Sequence, residues 1–166
     1  MFQRSFAPIL WSSFTRLTHF ALTAVFLCTA SVATAQSISA SNPNSVVAAL
    51  SAQGHAPELT ADNGGDPMIN AEAGGIYYSV LFYGCTANTN CQDLQLRGTF
   101  SEPVLTPEDI AAHNRDWFVG KVFLSNSGFA VIEHPMVGVD GMSRATLNRT
   151  LDRWTTALKR LKEAAY

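Results

Sequence analysis

The chain has 166 residues, with 11 Lys+Arg against 13 Asp+Glu and a net charge of −2 when histidine is neutral. So mild a balance argues against a nucleic-acid-binding or anionic-membrane surface, both of which call for excess positive charge. Hydrophobic residues at 47% and charged residues at 14% exclude global disorder.

Residues 1–35 read as an export signal. Arg4 and Arg16 supply positive charge, an apolar stretch runs from Phe20 to Cys28, and small residues lead to Ala33-Thr34-Ala35. That order is a charged region, an apolar region and an A-x-A cleavage pattern. An uncleaved anchor is the alternative, but a membrane span needs about 20 mainly apolar residues, and this core is shorter. Cleavage after Ala35 gives a periplasmic or secreted protein with no membrane span left. The leader holds two arginines and no acid, so residues 36–166 carry nine Lys+Arg against thirteen Asp+Glu. A chain of that size makes one domain.

Residues 36–43 are Ser-rich and read as a flexible lead-in to a single domain over 44–166. Asn44 or Ser45 caps a short helix carrying Val46, Val47 and Leu50, which Gly54 stops. Glu58 to Asp62 is a short strand candidate, and Asn63-Gly64-Gly65-Asp66-Pro67 is a turn. Met68 to Glu72 follows as a strand, then the Gly74-Gly75 turn. Ile76 to Tyr83 is rich in β-formers, and Asp93 to Phe100 alternates; together they predict a hairpin.

Thr106-Pro107-Glu108-Asp109 opens a helix running to about Trp117: a cap, a proline at the first position, then acids near the positive dipole end. Lys121–Ser125 and Phe129–Met136 form a second hairpin about Asn126-Ser127-Gly128, with Pro135 placing the second strand near an edge. Ser143 caps the last helix, whose Leu147, Leu151, Trp154, Leu158, Leu161 and Ala165 make one apolar face. The expected fold is α+β in the order α-β-β-β-α-β-β-α, an antiparallel sheet of about five strands with helices packed on it.

With Cys28 in the leader, Cys85 and Cys91 remain, and an even count in an exported chain predicts a disulfide. A redox-active pair is the alternative, but that chemistry favours C-x-x-C at a helix start, and here five residues intervene between strand-like flanks. A zinc site needs further Cys or His ligands nearby, and there are none.

Other constellations have a plain reading beside the sharp one. Asp109, His113 and Asp116 share a helical face and could form half a metal site, or simply a solvated face. Glu133-His134 could supply a base. However, G-x-S-x-G, S-x-x-K and H-E-x-x-H are all absent, so no catalytic residue is assigned. Gly64-Gly65-Asp66 lacks the lysine and the strand–loop–helix context of a phosphate loop. Arg144, Arg149, Arg153, Lys159, Arg160 and Lys162 give the last helix a basic stripe, which docks an acidic partner or lipid or is merely solvated. Asn148-Arg149-Thr150 matches a glycosylation acceptor but falls inside a helix. No cofactor or metal ligand set is assigned.

The Gly65-Asp66-Pro67 turn, a strand, a Gly pair, the aromatic strand, Cys85 and Cys91, Leu94-Gln95-Leu96, the Asn114–Trp117 segment and a closing helix with Trp154 together resemble the YbjN family over Asn44 to Ala164. The resemblance implies a regulator with a fold like the type III secretion chaperones, which bind polypeptides and catalyse nothing. It brings no catalytic residues. The expected function is an exported, non-enzymatic module that binds a protein partner, with a homodimer as one form. The alternatives are a small-ligand or lipid-binding envelope protein or small hydrolase, with a pocket between sheet and helices lined by Tyr77, Tyr78, Tyr83 and Trp117, or a purely structural envelope protein.

Overall fold

The computed structural model describes residues 37–101 and 103–166. The expected leader, its cleavage point and Gln36 lie outside the described residues.

Nine elements follow one another: α1 (Pro43–Ala52), β1 (Glu58–Ala61), β2 (Pro67–Glu72), β3 (Tyr77–Tyr83), β4 (Asp93–Phe100), α2 (Pro107–Asp116), β5 (Lys121–Leu124), β6 (Ala130–Met136) and α3 (Arg144–Ala165). The class is α+β, as expected. The sheet has six strands rather than about five, in the order β1-β2-β3-β4-β6-β5, all neighbours antiparallel. Four strands therefore precede α2. The additional strand in the count is β1, which extends the sheet by pairing Glu58 with Asn70 through Ala61 with Pro67.

The helix ends follow local chemistry. Thr106 and Asp109 form a reciprocal capping box at α2, each bonding the other's backbone N–H. Ser143 Oγ accepts from Thr146 N at 3.1 Å at the start of α3. For α1 the expected cap is corrected: the N-cap is Asn42, without a side-chain cap bond, and Pro43 occupies the first turn. Proline suits that position because its missing N–H would have no helical partner.

One face of the sheet is buried. Ile69 and Ala71 of β2, Tyr78, Val80 and Phe82 of β3, Leu94 and Leu96 of β4, and Ile132 of β6 join one apolar core with α1 and α3. Every apolar position expected on α3 is buried there. Gly98 lets α3 approach β4, since a Cβ at that site would lie 2.7 Å from Leu158 Cδ2. The opposite face carries Asn70, Ser79, Leu81, Gln95, Arg97 and Glu133, all exposed or half-buried.

The segment read as a flexible lead-in is docked. Ile38 and Ala40 are fully buried, and Ile38 N donates to Met142 O at 2.8 Å while Gly141 N donates to Ile38 O at 3.1 Å. Burying Ile38 and satisfying its backbone pair outweighs the entropy that a Ser-rich segment would otherwise keep. Pro135 lies in β6, an interior strand, but β5 ends its pairing opposite Glu133. At Pro135 the strand is a local edge on that side, so the missing N–H costs no ladder bond.

Candidate functional site

The two outer strands of the sheet are treated differently. At β5, the Asn114 side chain from α2 reaches across and pairs with Val122. Its Nδ2 donates to Val122 O at 2.8 Å and its Oδ1 accepts from Val122 N at 2.8 Å. The amide thus supplies a donor and an acceptor to edge groups that would otherwise wait for another strand. Lys121 Nζ donates to the carbonyls of Asn114 and Trp117, placing a cation at the negative end of α2. At the other edge, all four residues of β1 are exposed. Among the described residues nothing hydrogen-bonds its outer side. Its sequence, Glu-Leu-Thr-Ala, has no lysine or proline to blunt pairing.

The residues singled out from sequence are spread over the molecule. Asp109 is committed to the α2 cap, where Thr106 N and Oγ1 donate to its Oδ2 at 2.9 and 2.7 Å. Those bonds hold its carboxyl below the usual range. His113 turns the other way, its Nε2 lying 3.2 Å from Gly120 O, and Asp116 pairs with the neighbouring Arg115 at 2.9 Å. The three do not converge, and no group of three metal-ligating side chains occurs among the described residues. Burial pushes the pKa of His113 down, partly opposed by its bond to Gly120.

Glu133 and His134 point to opposite faces, as successive strand residues must. Glu133 lies 3.5 Å from Arg97 on the open face. His134 is half-buried on the helix side, and burial lowers its pKa. The Gly64-Gly65 turn is closed by its own chain: Asp62 Oδ1 accepts from Gly64 N and Asp66 N, and Asn88 Nδ2 donates to Gly64 O and Asp66 Oδ1. The Gly64 and Asp66 N–H groups of that loop are therefore already taken.

The expected pocket between sheet and helices is not formed by the four aromatic residues. Tyr78 lies in the core, edge-on to Trp154 at 5.9 Å and hydrogen-bonded to His55 Nδ1. Tyr77 is 75% exposed, Tyr83 is exposed, and Trp117 ends α2 beneath Arg160. The space between layers is taken by side chains such as Trp154, Leu151 and Leu158, each 0% exposed. A hollow of about 640 Å³ lies instead on the open face among Asn70, Tyr77, Ser79, Leu81, Arg97 and Thr99.

Cys85 and Cys91 are joined by a disulfide at the mouth of the β3–β4 hairpin. Gln92 N donates to Tyr83 O at 2.9 Å just inside it, so the bridge and the first rung hold the same register. The oxidised protein is expected to weigh two hydrogens less than the reduced one. C85S/C91S should lose about 2–2.5 kcal/mol by the loop-entropy relation. Two thiols that label rapidly in the folded protein contradict this.

Asn114 stands in the sequence only as the start of the Asn114–Trp117 segment, with nothing to mark its place beside β5. An asparagine in the last turn of a short polar helix signals nothing by itself; only the fold brings it beside β5.

A six-stranded antiparallel sheet, helices over one face and one side chain capping an edge define an open-faced α+β module. No curated protein matches the chain. The YbjN family model, described as "Putative bacterial sensory transduction regulator", matches residues 42–166. The chain belongs to that family. The match begins at Asn42, the residue that precedes α1.

Proposed function

We propose that this protein is an exported, non-enzymatic regulatory module that binds a protein partner by adding a strand of that partner to β1. The observation that carries the reading is the difference between the two sheet edges: β5 is plugged by Asn114, and β1 is open along its whole length among the described residues. An extended segment laid on β1 gains main-chain hydrogen bonds, and side chains alternate between the two faces of the added strand. A second copy of the chain pairing β1 with β1 gives the homodimer. The family's description as a regulator supports a role in binding. Cleavage after Ala35 delivers the domain to the periplasm or beyond, where the Cys85–Cys91 bridge persists.

Affinity capture of the C-terminally tagged protein from its host's envelope fraction tests this. A reproducible stoichiometric partner, or a dimer by light scattering, is expected with the natural chain. Both should be lost in L59P/A61P, whose prolines remove the N–H donors on the outer side of β1. Far-UV circular dichroism shows whether that variant keeps its sheet. Capture of the bait alone as a monomer, or a partner retained by folded L59P/A61P, overturns the reading.

A small-ligand or lipid-binding role is the second reading. The hollow of about 640 Å³ on the open face favours it, being within the roughly 300–1,000 Å³ usual for ligand sites. Native mass spectra of envelope-purified protein with no bound molecule count against it.

A further inference from the structure

The α3 residues Thr146, Arg149, Thr150 and Arg153 fall at i, i+3, i+4 and i+7 and so share one helical face. They line a small cavity of about 150 Å³ together with Phe118 and His134. Two arginines and a histidine line it and no carboxylate does; the two hydroxyls are taken, Thr150 Oγ1 donating to Thr146 O at 3.2 Å and Thr146 Oγ1 pairing with Ser143 Oγ at 2.9 Å.

The two cations are not spent on ion pairs. Neither Arg149 nor Arg153 meets a carboxylate among the described residues; Arg97–Glu133 and Arg115–Asp116 pair elsewhere. Arg149 Nη2 makes only a long contact of 3.4 Å to Thr146 Oγ1. Arg153 lies over the Phe118 ring, 4.7 Å from its centroid. Stacking of this kind positions a guanidinium while leaving its N–H fork free to point outward in its own plane. His134 has no hydrogen-bond partner among the described residues.

We propose that this cavity binds one phosphate-sized tetrahedral oxyanion, free or as the phosphoryl group of a small monoester. Arg149 and Arg153 approach it as charged forks, the geometry that suits an oxyanion best. His134 adds a donor from the strand side. The cavity is well below the roughly 300–1,000 Å³ of sites that enclose a drug-sized ligand, so it holds the phosphoryl group itself and leaves any carried group outside, against the exposed Phe118. This site stands apart from the β1 edge and does not depend on the pairing proposed there.

Titration of the purified protein with inorganic phosphate at constant ionic strength, followed by heteronuclear NMR and calorimetry, tests the site. Saturable one-to-one binding is expected, with shifts concentrated at Phe118, Val119, His134 and the 146–153 stretch. R149Q and R153Q should each weaken binding about tenfold, the scale of losing one charge-assisted hydrogen bond. R149Q/R153Q should abolish saturation, and R160Q, outside the cavity, should stay within about twofold of the natural protein. Glycerol phosphate binding more tightly than inorganic phosphate assigns a carried phosphoryl group; equal binding assigns the free ion. A linear, non-saturating response of the natural protein, shifts that avoid His134, or unchanged binding by R149Q/R153Q overturns the proposal.

Discussion

Replacing Trp154 by alanine is expected to remove about 3–5 kcal/mol of stability, as large-to-small changes of buried aromatic residues do. A domain of this size has only about 5–15 kcal/mol in total, so W154A sits near the threshold of folding. The size of the effect follows from position. Trp154 is 0% exposed at the centre of α3, edge-on to Tyr78 and 3.4 Å from where a Cβ on Gly120 would stand. The indole therefore fastens α3 to β3 and to the loop before β5. Removing it leaves a cavity that the fixed sheet below closes only partly.

W154F should cost much less than its lost volume suggests. Trp154 Nε1 is buried without a hydrogen-bond partner among the described residues, and such a donor carries a penalty of about 1–3 kcal/mol. Phenylalanine sheds that donor along with the second ring. Urea unfolding followed by circular dichroism gives both values. A loss under about 2 kcal/mol for W154A would mean that the core repacks around the gap.

What the sequence made legible, and what it did not, divides along the range of the interactions. The spacing of Leu147, Leu151, Trp154, Leu158, Leu161 and Ala165 reports α3 directly, because a helix repeats every few residues and its buried face is written locally. The Thr106–Asp109 box and the β3–β4 hairpin are local in the same way. β1 is legible as a strand over Glu58 to Asp62, but its four residues are all exposed and show no alternation of burial, so nothing local seats it in the sheet. Its place in the sheet is decided by β2. The docking of Ile38 depends on Met142, far along the chain, and no local pattern announces it.

The same division holds for the candidate sites. Asp109, His113 and Asp116 share a helical face in sequence, yet a cap, a backbone carbonyl and a neighbouring arginine each claim one of them. The basic stripe on α3 is visible as composition. That Arg153 lies over Phe118, and that His134 shares a cavity with Arg149, are consequences of how α3 seats on β6. Asn114 completes the picture: one polar side chain decides which sheet edge is open, and only the tertiary arrangement says so.

Gly120 should prove the second most sensitive position, and for a reason opposite to that of Trp154: there is no room to add anything. Its φ is +81°, in the left-handed region that side chains disfavour. A Cβ there would stand 2.6 Å from Ile132 Cδ1 and 2.8 Å from Ile132 Cγ1, well inside contact distance. Ile132 is fully buried, so it has little freedom to withdraw. G120A thus combines backbone strain of about 1–2 kcal/mol with overpacking of about 1–3 kcal/mol, a loss of about 2–5 kcal/mol. Gly128 offers the control, with φ of +79° and nothing within 4 Å of where its Cβ would stand. G128A should therefore lose only the strain, about 1–2 kcal/mol. The difference between the two variants in urea unfolding measures the contact with Ile132 alone. Equal losses would show that Ile132 swings aside and that the loop before β5 is less tightly seated on the core than its distances imply.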